Sequence, residues 1–338
     1  MRNWLAVIGL LTSLTLLAGC AHIPVKKGDR PLESQLKFRK NGSFKIVAFG
    51  DVHWNRMSDK DKETLRVMDS ILETEKPDLV IYTGDNCLSD KLDAVREGYQ
   101  QLTEPVVRRG IPWAATLGNH DAEYGGLTRK DVYKSMLGLP GNLSVLGPED
   151  IHGYGNYVLP VMSKNGKKIQ ALLYVLDSNS YATTHGAQIY DWIHQNQVQW
   201  YRQTSEYYKQ LNNGKNFPSY AFFHIPLQEY NNFYSKGTVI GVKNEDVCCS
   251  PVNSGLFSSF IENGDIKAVF VGHDHVNDYI AGYEGLWLGY VRGISFNTYG
   301  KDGFAKGSRI IELKEGDRSF DTWLRLDGGD VINKVFCE

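Results

Sequence analysis

The sequence predicts an α/β protein in which helices cover a mainly parallel β-sheet, with a second sheet near the carboxyl terminus. Short, almost continuously apolar segments alternate with segments of helical periodicity, which is typical of βαβ units whose sheet is buried on both faces. The 338 residues, 42% of them hydrophobic and 22% charged, are enough to bury a large core. Short connections between the last apolar segments favour antiparallel pairing.

The amino terminus differs from the rest of the chain. Arg2 precedes an apolar run that is shorter than the about 20 residues needed to span a membrane. The run ends in the motif LAGC at Cys20, which resembles the lipobox of bacterial lipoproteins. This resemblance implies that a signal peptide, residues 1–19, is cleaved and that Cys20 carries lipid. A plain cleaved signal peptide is the alternative. Both predict export to the cell envelope, with residues 20–42 as a tether, lipid-anchored to the membrane in the first case.

The domain, predicted at residues 43–338, begins with three strand–helix units. Strands are predicted at FKIVAF, LVIYT and PWAAT, and each is followed by glycine and polar side chains. Ser58 is positioned to cap the first helix, which Pro77 ends, and a second helical stretch surrounds Tyr99. This order predicts parallel neighbouring strands.

The second half continues the same alternation. Strands are predicted at IQALLYV, SYAFF and IKAVFV, with a long helix from Gln188 to Leu211. Three short strands, Leu286–Tyr290, Arg309–Leu313 and Thr322–Leu326, are expected to form the second, antiparallel sheet.

Five of the predicted strands end in side chains that can bind metals or transfer protons. They are Asp51, His53, Asp85, Asn119, His120, His224, His273 and His275. Any one of them could be an ordinary turn or surface residue. Ligands of α/β sheets, however, bind beyond the carboxyl ends of the strands, and five of the nine histidines lie at these positions. Nitrogen and oxygen donors without thiolate suit zinc, iron or manganese, and their number points to two metal ions.

The order of these motifs resembles that of the calcineurin-like metallophosphoesterases. The family motifs D-x-H, G-D-N, G-N-H-D, a single His and G-H-x-H stand here at Asp51–His53, Gly84–Asn86, Gly118–Asp121, His224 and Gly272–His275. The resemblance extends over about residues 44 to 315, and segments such as FVGHDHVNDY look most like the purple-acid-phosphatase-like branch. It implies one α/β domain with two packed mixed β-sheets flanked by helices, the four-layer metallophosphoesterase sandwich.

The resemblance also implies a dinuclear metal centre. Asp85 would bridge two divalent or trivalent ions, each iron, zinc or manganese. The other ligands would divide into two groups, Asp51, His53 and His275 at one ion, and Asn119, His224 and His273 at the other.

The implied reaction is the hydrolysis of phosphate monoesters by a hydroxide that the metals activate. His120 would protonate the leaving oxygen. Asp121 would orient its imidazole, or else only stabilise the turn. The substrate would be a phosphorylated small molecule or peptide. A phosphodiesterase or nucleotide hydrolase with the same metals is one alternative, and a lipoprotein that binds metal or phosphate without turnover is another.

Several features limit these expectations. Purple acid phosphatases have a tyrosine ligand three residues after the second aspartate, where this chain has Leu88. His53 is present instead, so the metal identity stays open. The net charge of −2 provides no basic surface, and we expect no nucleic-acid partner. His152, His185 and His194 follow no ligand spacing and are predicted to be structural.

Overall fold

The computed structural model of the protein describes residues 36–283 and 285–338. The predicted signal peptide, Cys20 and the tether up to residue 35 lie outside the described residues. The described strands are β1 Ser43–Phe49, β2 Leu79–Thr83, β3 Trp113–Thr116, β4 Tyr157–Met162, β5 Ile169–Val175, β6 Tyr181–Thr184, β7 Ala187–Tyr190, β8 Ser219–Phe223, β9 Thr238–Ile240, β10 Ile266–Val271, β11 Ile280–Tyr283, β12 Leu286–Tyr290, β13 Gly307–Lys314, β14 Phe320–Leu326 and β15 Val331–Cys337. The described helices are α1 Asp59–Glu75, α2 Leu92–Leu102, α3 Glu104–Val107, α4 Arg129–Met136, α5 Gln195–Leu211, α6 Glu229–Lys236 and α7 Leu256–Asn263.

Strands from both ends of the domain form one mixed sheet in the order β15-β14-β13-β1-β2-β3. The first three strands of the chain run parallel, as predicted, whereas β13 runs antiparallel to β1. Helix α1 begins with a capping box in which Ser58 and Asp61 satisfy each other's backbone N–H groups. The predicted cap at Ser58 is confirmed. The helix buries Val67, Met68 and Ile71 on one face.

The middle of the chain forms a second mixed sheet in the order β4-β5-β8-β10-β12-β11-β9. Its central strands β5, β8, β10 and β12 are parallel. Helices α5, α6 and α7 cover one face, where Tyr201, Tyr230 and Phe260 pack with alternate residues of the strands. The opposite face belongs to a core shared with the first sheet.

Aromatic contacts join the two sheets face to face. The ring of Phe320 in β14 lies 5.4 Å from Tyr220 in β8 and 6.1 Å from Phe270 in β10, centroid to centroid. Such edge-on pairs add to the burial of apolar area between the sheets. The prediction of two packed mixed sheets flanked by helices is therefore confirmed.

The assignment of the last strands to their own sheet is wrong. Residues Leu286–Tyr290 form β12, which pairs parallel with β10 in the second sheet. Strands β13 and β14 are antiparallel to each other, but they extend the first sheet beside β1. Short connections indicate how consecutive strands pair with each other, and they carry no information about which distant strand is the next neighbour.

The predicted helix from Gln188 begins too early. Residues Ala187–Tyr190 are strand β7, which pairs with β6 in a hairpin, and the helix α5 begins at Gln195. The hairpin turns at His185 and Gly186, which both have positive φ angles, 52° and 78°. Two consecutive residues with positive φ are typical of a tight hairpin turn.

The end of the predicted tether packs on the domain. Leu36 and Phe38 are buried, and the Phe38 N–H donates to the carbonyl of Met162 over 2.9 Å. The folded part therefore begins before residue 43. None of the helices in the described ranges is long and apolar enough to cross a membrane.

Candidate metal centre

The carboxyl ends of β1, β2, β3, β8 and β10 meet where the two sheets adjoin. Hydrogen bonds between the sheets hold these ends together. The hydroxyl of Thr116, the last residue of β3, donates to the carbonyl of Leu176, which follows β5, over 2.7 Å. Nδ1 of His224 lies 2.9 Å from the carbonyl oxygen of Thr83. The strand-end side chains predicted from sequence are thereby brought to one place.

Four of these residues have the left-handed backbone conformation that non-glycine residues rarely adopt. The φ angles are 58° at Asp51, 46° at His53, 52° at Asp85 and 77° at His273. Each such residue costs of the order of 1–3 kcal/mol, and the cost is typical of functional sites. The strained turns let the chain leave each strand abruptly and aim the side chain at the centre.

Two glycines allow the backbone to approach the centre closely. A Cβ atom on Gly118 would lie 2.1 Å from Oδ1 of Asp85, and one on Gly84 would lie 2.6 Å from Nδ1 of His224. Any larger residue at either position would displace the carboxylate or the imidazole.

The first group of donors consists of Asp51, His53, Asp85 and His275, all buried. Nε2 of His53 lies 3.3 Å from Nε2 of His275 and 3.6 Å from Oδ2 of Asp85. Nε2 of His275 lies 3.5 Å from Oδ1 of Asp51. The donor atoms thus surround one small volume.

The second group contains Asp85 again, with His224 and His273. Nε2 of His224 lies 3.2 Å from Oδ2 of Asp85 and 3.2 Å from Nδ1 of His273. It also lies 3.1 Å from Oδ1 of Asn119. The two groups share Asp85 and have the same division that the family resemblance implies.

These donor sets fit metal ions. Two nitrogens bound at about 2.0–2.1 Å in tetrahedral geometry lie about 3.3–3.4 Å apart, close to the 3.3 and 3.2 Å between the paired imidazoles. Oδ2 of Asp85 is buried and makes no hydrogen bond to any described residue. Such an oxygen needs another partner. The cluster is therefore able to hold a dinuclear metal site, with Asp85 shared between its halves.

Three of the four candidate histidine ligands remain neutral near pH 7. Burial, the largest cause, lowers the pKa of His53 to about 4, of His273 to about 3 and of His275 to about 2. Neutral imidazoles carry the lone pairs that metal binding needs.

His224 differs because it lies against Asp85. Burial opposes its charge, but the Asp85 carboxylate raises the pKa of His224 to about 9. Burial likewise opposes the charge on Asp85, yet His224 holds the pKa of this carboxyl well below its ordinary value. Burial raises the pKa of Asp51 to about 7. Since metals bind deprotonated ligands, a metal here would displace the proton from His224.

Outer hydrogen bonds fix the orientation of the donors. The Thr298 hydroxyl lies 2.6 Å from Nδ1 of His275. The Asn119 amide donates to the Tyr181 hydroxyl over 2.7 Å, which leaves Oδ1 facing His224. Sequence reasoning missed Thr298 and Tyr181 because both are distant in the chain and neither belongs to a recognisable motif.

His120 lies at the rim of the centre. Its backbone N–H donates to Oδ1 of Asp85 over 2.8 Å, and the centroid of its ring is 5.6 Å from that of the His53 ring. About a third of its side chain is exposed. This position suits a group that meets the outer part of a substrate.

Of the two roles expected for Asp121, orienting His120 is wrong, and the hydrogen bonds agree with the other, stabilising the turn. The Asp121 carboxylate accepts the backbone N–H groups of Asn86, Cys87 and Gly118 over 2.7–2.9 Å, and it ties the two loops together. Oε2 of Glu123 lies 2.5 Å from Nδ1 of His120 instead. The turn after Asn119 places Glu123, three positions beyond His120, beside the imidazole. Asp121, the next residue in the chain, does not take this position.

Comparisons with known proteins identify the family of the chain. Residues 44–277 match the family model described as calcineurin-like phosphoesterase. The chain is 35% identical over 330 residues to "Probable inactive purple acid phosphatase 29" of Arabidopsis thaliana, covering 87% of this chain and 85% of that protein. It is 32% identical to "Phosphatase DCR2" of Saccharomyces cerevisiae, covering 89% of this chain and 57% of that protein.

A solved structure has the same fold. The dimetal phosphatase from Danio rerio aligns with a TM-score of 0.60 over 87% of this chain and 98% of that chain, at 12% sequence identity. At this identity the likeness shows the fold alone, and the assignment to a family rests on the sequence matches.

Proposed function

The chain belongs to the calcineurin-like phosphoesterase family, and on this premise we propose that it is a metal-dependent phosphatase that hydrolyses phosphate monoesters. One observation carries the proposal. The buried Oδ2 of Asp85 lies between two sets of donors, 3.6 Å from His53 and 3.2 Å from His224, without a hydrogen bond from any described residue. This is the arrangement that two adjacent cations require of a bridging carboxylate.

The bound ions would supply an activated water molecule and would neutralise charge on the phosphoryl group. The chain contributes mainly neutral donors. Only Asp51 and Asp85 are carboxylates in the two donor groups, so two divalent ions would leave a local charge of about +2. That charge would attract a phosphate ester to a protein whose net charge is −2.

His120 is the proposed general acid. Its backbone N–H holds it beside Asp85, and its side chain reaches the solvent-exposed rim where a leaving group would lie. Glu123 occupies the Nδ1 side of the ring, so Nε2 is the nitrogen that can carry the transferable proton.

The names of the plant relatives include the word "inactive", which makes metal binding without turnover the main rival. The complete donor set of this chain, together with His120 at its rim, supports catalysis. Residue Leu88 offers no donor atom where purple acid phosphatases have tyrosine, so the proposal does not include an iron–phenolate pair.

Export and lipid attachment at Cys20 are part of the proposal. They rest on the LAGC motif and the preceding apolar run, which lie outside the described residues. Anchoring at an envelope membrane would expose the phosphatase to substrates outside the cytoplasm.

A direct test compares esters at defined metal content. The purified protein is loaded with zinc, manganese or iron, the metals are quantified, and turnover of nitrophenyl phosphate and bis(nitrophenyl) phosphate is measured. We expect faster turnover of the monoester in at least one metal form, and loss of activity in Asp85→Ala. His185→Ala, an exposed histidine outside the centre, is the matched control. Full metal occupancy without turnover of either ester would favour the rival, and a faster diester reaction would assign a phosphodiesterase.

A further inference from the structure

The β6–β7 hairpin brings two tyrosines beside the second donor group. Tyr181 and Tyr190 are opposite each other in the hairpin, and their rings stack with centroids 5.7 Å apart. The ring of Tyr190 stands edge-on to that of His273, with centroids 4.6 Å apart and planes at 90°. The Tyr181 hydroxyl lies 2.7 Å from the amide nitrogen of Asn119. Each tyrosine thus contacts a candidate metal ligand, and the stack holds the ring of Tyr181 in place.

The hydroxyl of Tyr181 still has a proton to donate. An amide nitrogen only donates, so the hydroxyl is the acceptor in its hydrogen bond with Asn119. A phenol also carries one O–H donor, and its ordinary pKa of about 10 keeps it protonated at neutral pH. Within the ranges 36–283 and 285–338, this O–H donates to no residue. The side chain is only partly buried, so the O–H is available to a molecule bound beside Asn119.

A phosphate monoester needs a donor of this kind. Besides the leaving oxygen it has three further oxygens, which share most of two negative charges at neutral pH. The site has two donor groups around Asp85, and ions held there would neutralise two of these oxygens. The third oxygen then needs a hydrogen bond from the protein. In a diester the third oxygen is esterified, and an uncharged oxygen makes the weaker hydrogen bond.

Lys306 is the other donor to consider near the centre. Besides burial, which is the largest cause, the charge of Lys306 contributes to the lowered pKa of His53 and of His275. Lys306 therefore acts on the first donor group. Tyr181 contacts the second group, where Asn119 precedes the candidate general acid in the chain.

We propose that the Tyr181 O–H donates a hydrogen bond to the third oxygen of a bound phosphate monoester, and that this contact favours monoesters over diesters. The inference rests on the proposed function and adds Tyr181 as a catalytic residue that determines ester specificity. His120 would act on the leaving oxygen, whereas Tyr181 would hold the phosphoryl group itself. The two side chains belong to different segments, which the contact between Tyr181 and Asn119 joins.

Tyr181→Phe is the informative substitution, because it keeps the ring and its stack on Tyr190 and removes only the hydroxyl. Kinetics with nitrophenyl phosphate and bis(nitrophenyl) phosphate are measured at full metal occupancy, verified by elemental analysis. We expect kcat/KM for the monoester to fall at least about tenfold, the worth of a hydrogen bond to a charged group, and that for the diester by less than about threefold. His185→Ala, at the turn of the same hairpin, and Tyr190→Phe should retain the ratio of the two values.

Calorimetry gives a readout that does not depend on turnover. Inorganic phosphate has the third oxygen without an ester bond, and dimethyl phosphate does not. Tyr181→Phe should weaken the binding of inorganic phosphate to the metal-loaded protein at least about tenfold and leave that of dimethyl phosphate nearly unchanged. Circular dichroism and the melting temperature check that the variant is folded.

The outcomes separate this inference from the proposed function. An unchanged monoester-to-diester ratio in Tyr181→Phe would overturn the inference alone. Loss of metal from Tyr181→Phe, with equal recovery of both reactions when metal is added, would make Tyr181 only a positioning residue for Asn119 and would overturn it too. A ratio that falls in Lys306→Met or Tyr190→Phe, and not in Tyr181→Phe, would assign the donor to that residue instead. Absence of turnover of either ester by the wild type would overturn the proposed function, and calorimetry with inorganic phosphate would still test the contact.

Discussion

Nδ1 of His120 lies 2.5 Å from Oε2 of Glu123, while Asp121, the neighbour of His120 in the chain, accepts backbone N–H groups from another loop. The two carboxylates close to His120 thus have separate tasks. Glu123 fixes the imidazole, and Asp121 holds the loop that carries it. The separation allows acid catalysis and loop stability to be tested by different substitutions.

His120→Asn should affect substrates according to their leaving groups. A nitrophenolate leaves readily as an anion, whereas an alkoxide needs a proton. General acid catalysis supplies about 10²–10⁴-fold, and we expect most of this loss with glycerol phosphate and less than about tenfold with nitrophenyl phosphate. Steady-state kinetics at measured metal content provide the check. Equal losses would mean that His120 binds the phosphoryl group that both substrates share.

Glu123→Gln should produce the same pattern at smaller size, because the imidazole remains but loses its charged partner. We expect about a tenfold loss with glycerol phosphate, little change with nitrophenyl phosphate and an unchanged melting temperature.

Asp121→Asn should instead weaken the loop by about 1–3 kcal/mol, since one oxygen no longer accepts N–H groups. A fall in melting temperature in Glu123→Gln, with equal losses on both substrates, would contradict this division.

The sequence predicted in part which residues come together at the site, because parallel strands of one sheet end at the same edge. Asp51 and Asp85 follow neighbouring parallel strands of the first sheet, so their meeting could be expected. His273 follows β10 of the second sheet, and it joins them only because the two sheets pack together. Neither spacing nor periodicity could distinguish Asp121 from Glu123, because that choice depends on the turn after Asn119.

Contacts between segments that are distant in the chain could not be predicted from the sequence either. Tyr181 reaches Asn119 because the β6–β7 hairpin brings it there, and the end of this hairpin, from Gln188, was predicted as the start of a helix. The stacked pair of His152 and His194 is another case, since neither residue belongs to a motif. In each case tertiary packing makes the contact, and local pattern leaves no signal.

Cys20→Ser tests the proposed anchor. We expect the variant to move from the membrane fraction to the soluble fraction after cell lysis, with unchanged specific activity, because residue 20 precedes the described domain. Lipid labelling of the wild type and the variant provides the control. Unchanged membrane partitioning of Cys20→Ser would exclude attachment at this cysteine.

Glu75→Gln tests a buried carboxylate away from the centre. Burial opposes the charge of Glu75, but hydrogen bonds from Trp323, Arg325 and Lys45 outweigh it and lower its pKa. A lowered pKa stabilises the fold above the unfolded value, about 4.3, and this stabilisation is lost as the pH falls through the folded value. We expect a loss of about 1–3 kcal/mol at pH 7 that shrinks below about pH 4.

Urea unfolding at both pH values measures this loss. Glu63→Gln is the matched control, because Glu63 forms an exposed pair with Arg66. Its substitution should change stability by less than about 1 kcal/mol at either pH. If the loss of stability in Glu75→Gln grew as the pH fell, the pKa of Glu75 would be raised in the folded protein. That result would contradict the lowered pKa.

The bridging role of Asp85 gives the most direct test of the centre. Asp85 is the carboxylate common to both donor groups, whereas His53 belongs to one. Asp85→Ala should therefore lower metal content at both positions, towards less than one ion per chain, and His53→Ala should leave the second group with Asp85, His224 and His273. Elemental analysis of protein purified under identical conditions measures the difference, and circular dichroism checks that each variant is folded. Removing Asp85 takes one carboxylate donor from each group, so the remaining donors would bind a single ion more weakly. Near two ions per chain in folded Asp85→Ala would refute the bridge, and equal losses in both variants would mean that the two halves bind metal only together.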